Sequence, residues 1–279
     1  MVVNKHINFL IANNPELFAY LDAHHIPYKE VLHSCVFDIS ESDPHWEQIS
    51  LLLQRSRFVC ISDTYYTKQE LSEAAWLTMR SLWRCGYPQP EDGPGYESVT
   101  YSMDGYCSSC GSGLVQNSEF RIKKPPKWGK RHFMMLNWVG DEIFVDDITK
   151  TLLSQSGLTG FSFRDVYDKK GANAFEDISQ LYIENLLPDG LSTDSRYIDQ
   201  VNRCPVCGIA KYHSTGIGSL AFREEIFDKA PDIVRTSEIF GWEHWTQREI
   251  IVSQRFYQFV IANNLGSALE FKPMYLERC

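Results

Sequence analysis

Cys107-Ser-Ser-Cys110-Gly111 and Cys204-Pro-Val-Cys207-Gly208 set down one pattern twice, 97 residues apart. Two thiolates separated by two residues can grip one ion from a tight turn. The glycine that follows lets backbone N–H groups approach the sulfurs. Two such pairs complete a tetrahedral all-thiolate site. The expectation is one structural Zn2+ per chain on Cys107, Cys110, Cys204 and Cys207, clamping two distant segments together. The 93 residues between the pairs are no obstacle, because loop-closure cost rises only logarithmically with length. Ordinary zinc ribbons nevertheless space their pairs by only about 15–20 residues. Three other arrangements stay open: separate sites completed by His132 or His213, a redox pair, or four free thiols.

Working outward, the resemblance of the two segments continues. Lys124-Pro-Pro pairs with Lys229-Ala-Pro at an offset of 105, and Asn137–Asp147 pairs with His244–Gln254 at 107. Phe161–Val166 meets Leu269–Met274 at 108. A drift this slow places the insertions between elements, where loops absorb them. In each copy a short apolar run (Glu142-Ile-Phe-Val145, Glu249-Ile-Ile-Val252) precedes a capping residue, Asp146 or Ser253. A helix of about ten residues follows, ending at Gly157 or Asn264, the residue types that best tolerate a left-handed terminus. Alternating Phe161 and Phe163, or Leu269 and Phe271, close each unit as a strand. The fold class is therefore α+β: a tandem-duplicated knuckle plus strand–helix–strand unit, behind an N-terminal helix–sheet region.

Residues 1–100 form that N-terminal α/β region, 101–168 the first repeat, and 169–279 a connector and the second repeat. In the N-terminal region Asn14 and Pro15 start a helix through Leu21. Asp43-Pro44 launches another bearing Trp46, Ile49, Leu52 and Leu53, and Arg57–Asp63 reads as a buried strand. Thr67-Lys-Gln-Glu70 is a capping box for a helix whose face runs through Leu71, Ala74, Ala75, Thr78 and Leu82. Tyr87–Glu97 is the clearest linker, and a polar connector spans about Asp168 to Asn202, interrupted by the strand-like Ile178–Leu187. Seven Trp, fourteen Tyr and sixteen Phe provide for an ordered, aromatic-rich interior. The apolar runs are far shorter than a membrane span, and the opening residues lack the apolar stretch of an export signal. Reduced cysteines and a cytoplasmic location are expected. Cys35, Cys60 and Cys85 read as core thiols, and terminal Cys279 is uninformative.

The paired knuckles, each followed by a VGDEIFV or TQREIIV segment and an alternating apolar close, resemble the bacterial double-CXXCG motif proteins. The resemblance covers about Thr67 to Met274, and its specific part is the two knuckles. This chain departs at its second helix end, where Asn264-Leu-Gly-Ser stands in place of a counterpart to Gly157-Leu-Thr-Gly. Proteins of that family serve as immunity proteins in polymorphic, contact-delivered toxin systems. The resemblance therefore implies a zinc-stabilised protein that binds and neutralises a cognate toxin one to one, without catalysis.

Enzyme signatures are lacking: there is no HExxH, GxSxG, P-loop or dinucleotide fingerprint. The carboxylates Asp141, Glu142, Asp146 and Asp147 read as a solvated face or a cap. The formal net charge of −9 opposes a phosphate backbone and suits a basic protein partner. Acidic helices near Glu41–Glu47 and Glu224–Asp232 are candidate faces for it. The alternative is local. Arg121, Lys123, Lys124, Lys127, Lys130 and Arg131 surround Trp128 beside a knuckle, a strip that could bind nucleic acid with a stacking aromatic.

Overall fold

A computed structural model describes residues 1–54, 57–93, 95–192 and 196–278, so Pro94 of the linker, part of the connector and Cys279 lie outside the described residues. The chain is α+β, with several small sheets and short helices. Val2–Leu10 and Ser34–Ser40 alternate buried and exposed side chains and pair antiparallel. With Lys29–Val31 and Phe58–Tyr65 they make a four-stranded sheet. Its inner face (Ile7, Phe9, Phe37, Ile39) packs on Leu17 and Leu21 of the helix Pro15–Ala23 and on Ile49 and Leu53 of the helix Trp46–Leu53. Pro15 sits at the helix start as its fixed φ favours, but Asn14 does not cap with its side chain; its Nδ2 donates to Leu10 O at 3.2 Å. Phe58–Tyr65 is a strand as expected, yet it is an edge and largely exposed, including Cys60. Having only one neighbouring strand, it is left open to solvent.

The capping box at Thr67 forms, with Thr67 Oγ1 accepting from the Glu70 amide at 3.2 Å. The helix behind it is short, Lys68–Glu73, and the face drawn through Thr78 and Leu82 does not exist as a helix. Trp76–Ser81 is a strand instead, held between Ile250–Ser253 and Leu269–Pro273. Helical spacing of apolar residues lost here to two flanking strands that satisfy the backbone of Trp76–Ser81 on both sides, with Leu77 and Met79 buried between them.

Beyond the N-terminal sheet, two further sheets share a plan. In one, Phe133–Met134, Ile143–Val145, Ala174–Tyr182 and Ser162–Asp168 are neighbours in that order, with Arg121–Ile122 at the edge. In the other, Ile233–Arg235, Ile250–Ser253, Trp76–Ser81 and Leu269–Pro273 follow the same order. The registers agree. Gln180 lies opposite both Phe144 and Arg164, and Thr78 lies opposite both Ile251 and Lys272. In each, a helix leaves the second strand under a side-chain cap: Asp146 accepts from the Thr149 amide at 2.9 Å, Ser253 from the Phe256 amide at 3.2 Å. The helices Asp147–Gln155 and Gln254–Ala262 are followed by left-handed Gly157 (φ 68°) and Asn264 (φ 57°). The third strand differs in origin. In the first sheet it is Ala174–Tyr182, from the stretch read as a connector; in the second it is Trp76–Ser81, from the stretch read as part of the N-terminal region. Hydrogen-bonded sheets thus cross the boundaries drawn at residues 100 and 168. The two sheets and both helices share one core, in which Val145, Leu153, Leu181, Val252, Phe256 and Phe271 meet.

Candidate metal centre

Each knuckle is the turn of a hairpin. Tyr101–Ser102 pairs with Val115–Gln116 around the first, and Ile198–Arg203 with Ala210–Ser214 around the second. Their internal hydrogen bonds match at the sequence spacing of the cysteines. The Cys107 amide donates to Ser112 O (2.8 Å) and the Cys204 amide to Ile209 O (2.9 Å). Gly111 N–H bonds Cys107 O (2.7 Å), and Gly208 N–H bonds Cys204 O (2.9 Å). Those last bonds require a left-handed residue, and Gly111 (φ 77°) and Gly208 (φ 75°) supply it. Gly111 has a second reason to be glycine: a Cβ there would lie 2.1 Å from the carbonyl oxygen of His244. The first knuckle is thus pressed onto the turn around His244, where Thr246 Oγ1 donates to Gly111 O at 3.2 Å.

The hairpins bring equivalent cysteines together. Cys107 Sγ lies 3.8 Å from Cys204 Sγ, and Cys110 Sγ lies 3.6 Å from Cys207 Sγ. All four sulfurs fall within 4.8 Å of one another, close enough to hold a metal ion, and three of the four residues are buried. A tetrahedral ion with metal–sulfur bonds near 2.3 Å sets its ligand sulfurs about 3.8 Å apart, so the donor set fits such an ion in spacing and in chemistry. His132 and His213 are engaged elsewhere. His132 Nδ1 is 2.8 Å from Asp146 Oδ2, and the His213 ring packs on Trp242 with its Nε2 3.3 Å from Asn202. Among the described residues these four thiols form the metal-ligand cluster.

Crowding splits the thiols electrostatically. The amides of Cys207 and Val206 hold Cys204 down at about 6. Although the Ile209 amide pulls Cys207 downward, burial and the neighbouring sulfurs prevail and push it up to about 12. Loss of hydration works against Cys110, yet Ser112, with its Oγ 3.4 Å from the sulfur, brings it down. A cation among the sulfurs would remove this competition for protons. Lys211 is buried beside the cluster, its ammonium donating to the carbonyls of Glu243 and Trp245. Burial lowers its pKa, while the thiolate charges act in the opposite direction.

Glu142, expected on a solvated face or in a cap, is instead buried in an ion pair with Arg235. Glu142 receives both guanidinium arms of Arg235, at 2.8 and 2.7 Å, and also accepts from Gln180 Nε2 at 2.7 Å. Burial alone would make Arg235 easier to deprotonate; the Glu142 charge outweighs it and raises the guanidinium above its ordinary value. Burial pushes the neighbouring Asp141 carboxyl up against the pull of Arg235. No local signal marks the pair, because the two residues stand 93 positions apart.

The basic strip is divided by the fold. Lys123, Lys124, Lys127, Lys130 and Arg131 are exposed and Arg121 is half-buried. Trp128 packs edge-on against Trp83, with ring centroids 5.4 Å apart, and donates its indole N–H to Asp177 O at 2.8 Å. Arg131 lies over Trp83 at 4.7 Å. The stacking ring that a nucleic-acid strip would need is therefore committed to internal packing. The acidic stretches are partly neutralised: Glu41 is bonded to Lys5 and Arg196, and Glu224 to Arg278. Glu224–Phe227 is a single 3-10 turn, shorter than the acidic helix expected near Glu224–Asp232. Among the described residues no helix is long and apolar enough to cross a membrane. No protein-family model matches the chain, and no curated protein matches it, so the family resemblance rests on the two knuckles and the segments behind them.

Proposed function

We propose that this chain is a zinc-stapled, immunity-type protein that acts in the cytoplasm by binding a toxin protein one to one, with no catalysis of its own. The convergence of Cys107, Cys110, Cys204 and Cys207 carries the reading. Four protein thiolates fill a tetrahedral shell, the arrangement of structural zinc, whereas catalytic zinc keeps a position open for water or substrate. The ion's part would be to fasten the two hairpins to each other. That in turn fixes the turn around His244 against the first knuckle. The formal charge of −9 supports a basic partner, since complementary charge speeds encounter and selects orientation. The resemblance of the paired knuckles to the double-CXXCG proteins supplies the toxin-neutralising role.

The reading predicts a secreted effector encoded beside this gene, and co-expression of the two tests it. Restored growth and a one-to-one complex on size-exclusion chromatography with light scattering are expected. Undiminished toxicity with both proteins folded, and no complex, would refute it.

A further inference from the structure

Phe58–Tyr65 closes the N-terminal sheet, bonded to Val2–Leu10 on one side and, among the described residues, to no strand on the other. Phe58, Cys60 and Ser62 stand opposite buried Phe9, Ile7 and Lys5, so they share the inner face. Val59, Ile61 and Asp63 share the outer face, and Arg57 comes next in that alternation. Sheet edges are ordinarily blunted by a lysine, a proline, a bulge or a covering loop. Here eight consecutive pairs run without a register shift, and neither Lys nor Pro interrupts the strand. A loop covers its far end alone. Thr64 Oγ1 donates to Gly216 O at 3.2 Å and takes the Gly218 amide at 2.9 Å, and a Cβ on Gly216 would stand 3.5 Å from Ser62 O. The free run is therefore Phe58–Ile61, in which Val59 is 63% and Ile61 57% exposed. Two β-branched side chains on one face of an open edge invite another strand.

The charges flanking that run say which strand. Lys5 is paired with Glu41 and His6 lies against Asp38, but among the described residues exposed Arg57 and Asp63 enter no ion pair. Turned antiparallel onto a copy of itself about Cys60, the segment sets Val59 opposite Ile61 and Arg57 opposite Asp63, each twice. Centred on Val59 instead, it would set Arg57 opposite apolar Ile61. Centred on Ile61, it would set Asp63 opposite apolar Val59. The pattern of the outer face thus selects one register, as a half-buried strand requires.

We infer that two copies of this chain dimerise about a two-fold axis at Cys60, their Val59–Ile61 segments pairing antiparallel. The four-stranded sheet of each copy becomes half of one continuous sheet. Edge N–H and C=O groups otherwise left to water gain partners, and the Val59–Ile61 contacts cover the apolar patch. The contact is isologous, so the same patch serves both copies and the assembly closes at two. A strand of an unrelated protein would find the same backbone groups, whereas the match of Arg57 to Asp63 is one this chain supplies to itself. The edge belongs to the N-terminal sheet and not to the metal centre. A dimer therefore leaves the one-to-one ratio to a toxin unchanged.

Size-exclusion chromatography with light scattering is run on the zinc-loaded full chain over roughly a hundredfold range of concentration. A monomer–dimer equilibrium with a dissociation constant on the order of micromolar is expected. Ile61→Lys should leave only monomer. Val59→Lys is the second variant, and circular dichroism with zinc content checks that each folds. Arg57→Asp and Asp63→Arg should each weaken the dimer about fivefold, and the two combined should restore it, because the charge pairs are then reversed on both copies. A short bis-maleimide should join Cys60 to Cys60, read by mass spectrometry, since opposed Cα atoms of an antiparallel pair stand about 4.5–5.5 Å apart. Monomer at every concentration, a dimer indifferent to both lysine variants, or a double reversal no better than the single ones would overturn the inference. So would a monomeric chain that loses its toxin with Ile61→Lys, which would assign the edge to a partner's strand.

Discussion

Glu142 and Arg235, 93 residues apart, face each other as a buried bidentate pair at 2.7–2.8 Å, and so bind the Ile143–Val145 strand's approach to the strand Ile233–Arg235 of the other sheet. Removing the Glu142 charge leaves the buried Arg235 guanidinium with Asp141, 3.9 Å away, as its nearest carboxylate. Glu142→Gln should therefore cost about 3 kcal/mol in urea unfolding, the lower end of what breaking a buried pair costs. The double variant Glu142→Leu, Arg235→Met should recover most of that loss. A double variant as unstable as the single one would show that the pair's value lies in its hydrogen-bond network and not in avoiding a lone charge.

The four sulfurs predict a stoichiometry. Elemental analysis should find close to one zinc per chain, and cobalt substitution should give the intense absorption of tetrahedral thiolate ligation. Cys107→Ser and Cys204→Ser, one from each hairpin, should each lower metal content and the melting temperature together, by on the order of 10 °C. Two ions per chain, or an effect confined to one hairpin, would break the shared-site arrangement.

Two glycines with the same φ should differ in their tolerance. Gly208→Ala meets nothing within 4 Å, so it bears only the left-handed penalty of about 1–2 kcal/mol. Gly111→Ala adds a Cβ that would sit 2.1 Å from the His244 carbonyl and must push the knuckle off its seat. Its loss in thermal stability should exceed that of Gly208→Ala by at least about 2 kcal/mol, with weaker metal retention. Equal losses would mean the knuckle does not rest on that turn.

Glu249 predicts a gain and a pH window. Burial raises its carboxyl above the ordinary 4.5, and its side-chain hydrogen bond is a long one, from Gln247 at 3.4 Å. A raised carboxylate pKa favours the folded state below the unfolded value, and that advantage disappears as pH rises through the folded value. Glu249→Gln should accordingly melt a few degrees higher than the parent at pH 7.5, worth about 1 kcal/mol, and no higher at pH 4. A variant less stable at both pH values would point to a charge interaction that the neighbouring Arg80 and Lys272 supply.

What the sequence could disclose was what short-range chemistry dictates. The CxxCG turns, the caps at Asp146 and Ser253, and the left-handed stops at Gly157 and Asn264 each depend on residues within a few positions of one another. The meeting of the four sulfurs was legible in their donor chemistry, since two thiolate pairs complete one tetrahedral shell. Tertiary structure decided the rest. Trp76–Ser81 had helical spacing and became the strand between Ile250–Ser253 and Leu269–Pro273, since backbone groups buried there must find partners and only neighbouring strands offered them. The Glu142–Arg235 pair was invisible for the same reason: a charge becomes costly, and so informative, only after distant parts of the chain have enclosed it.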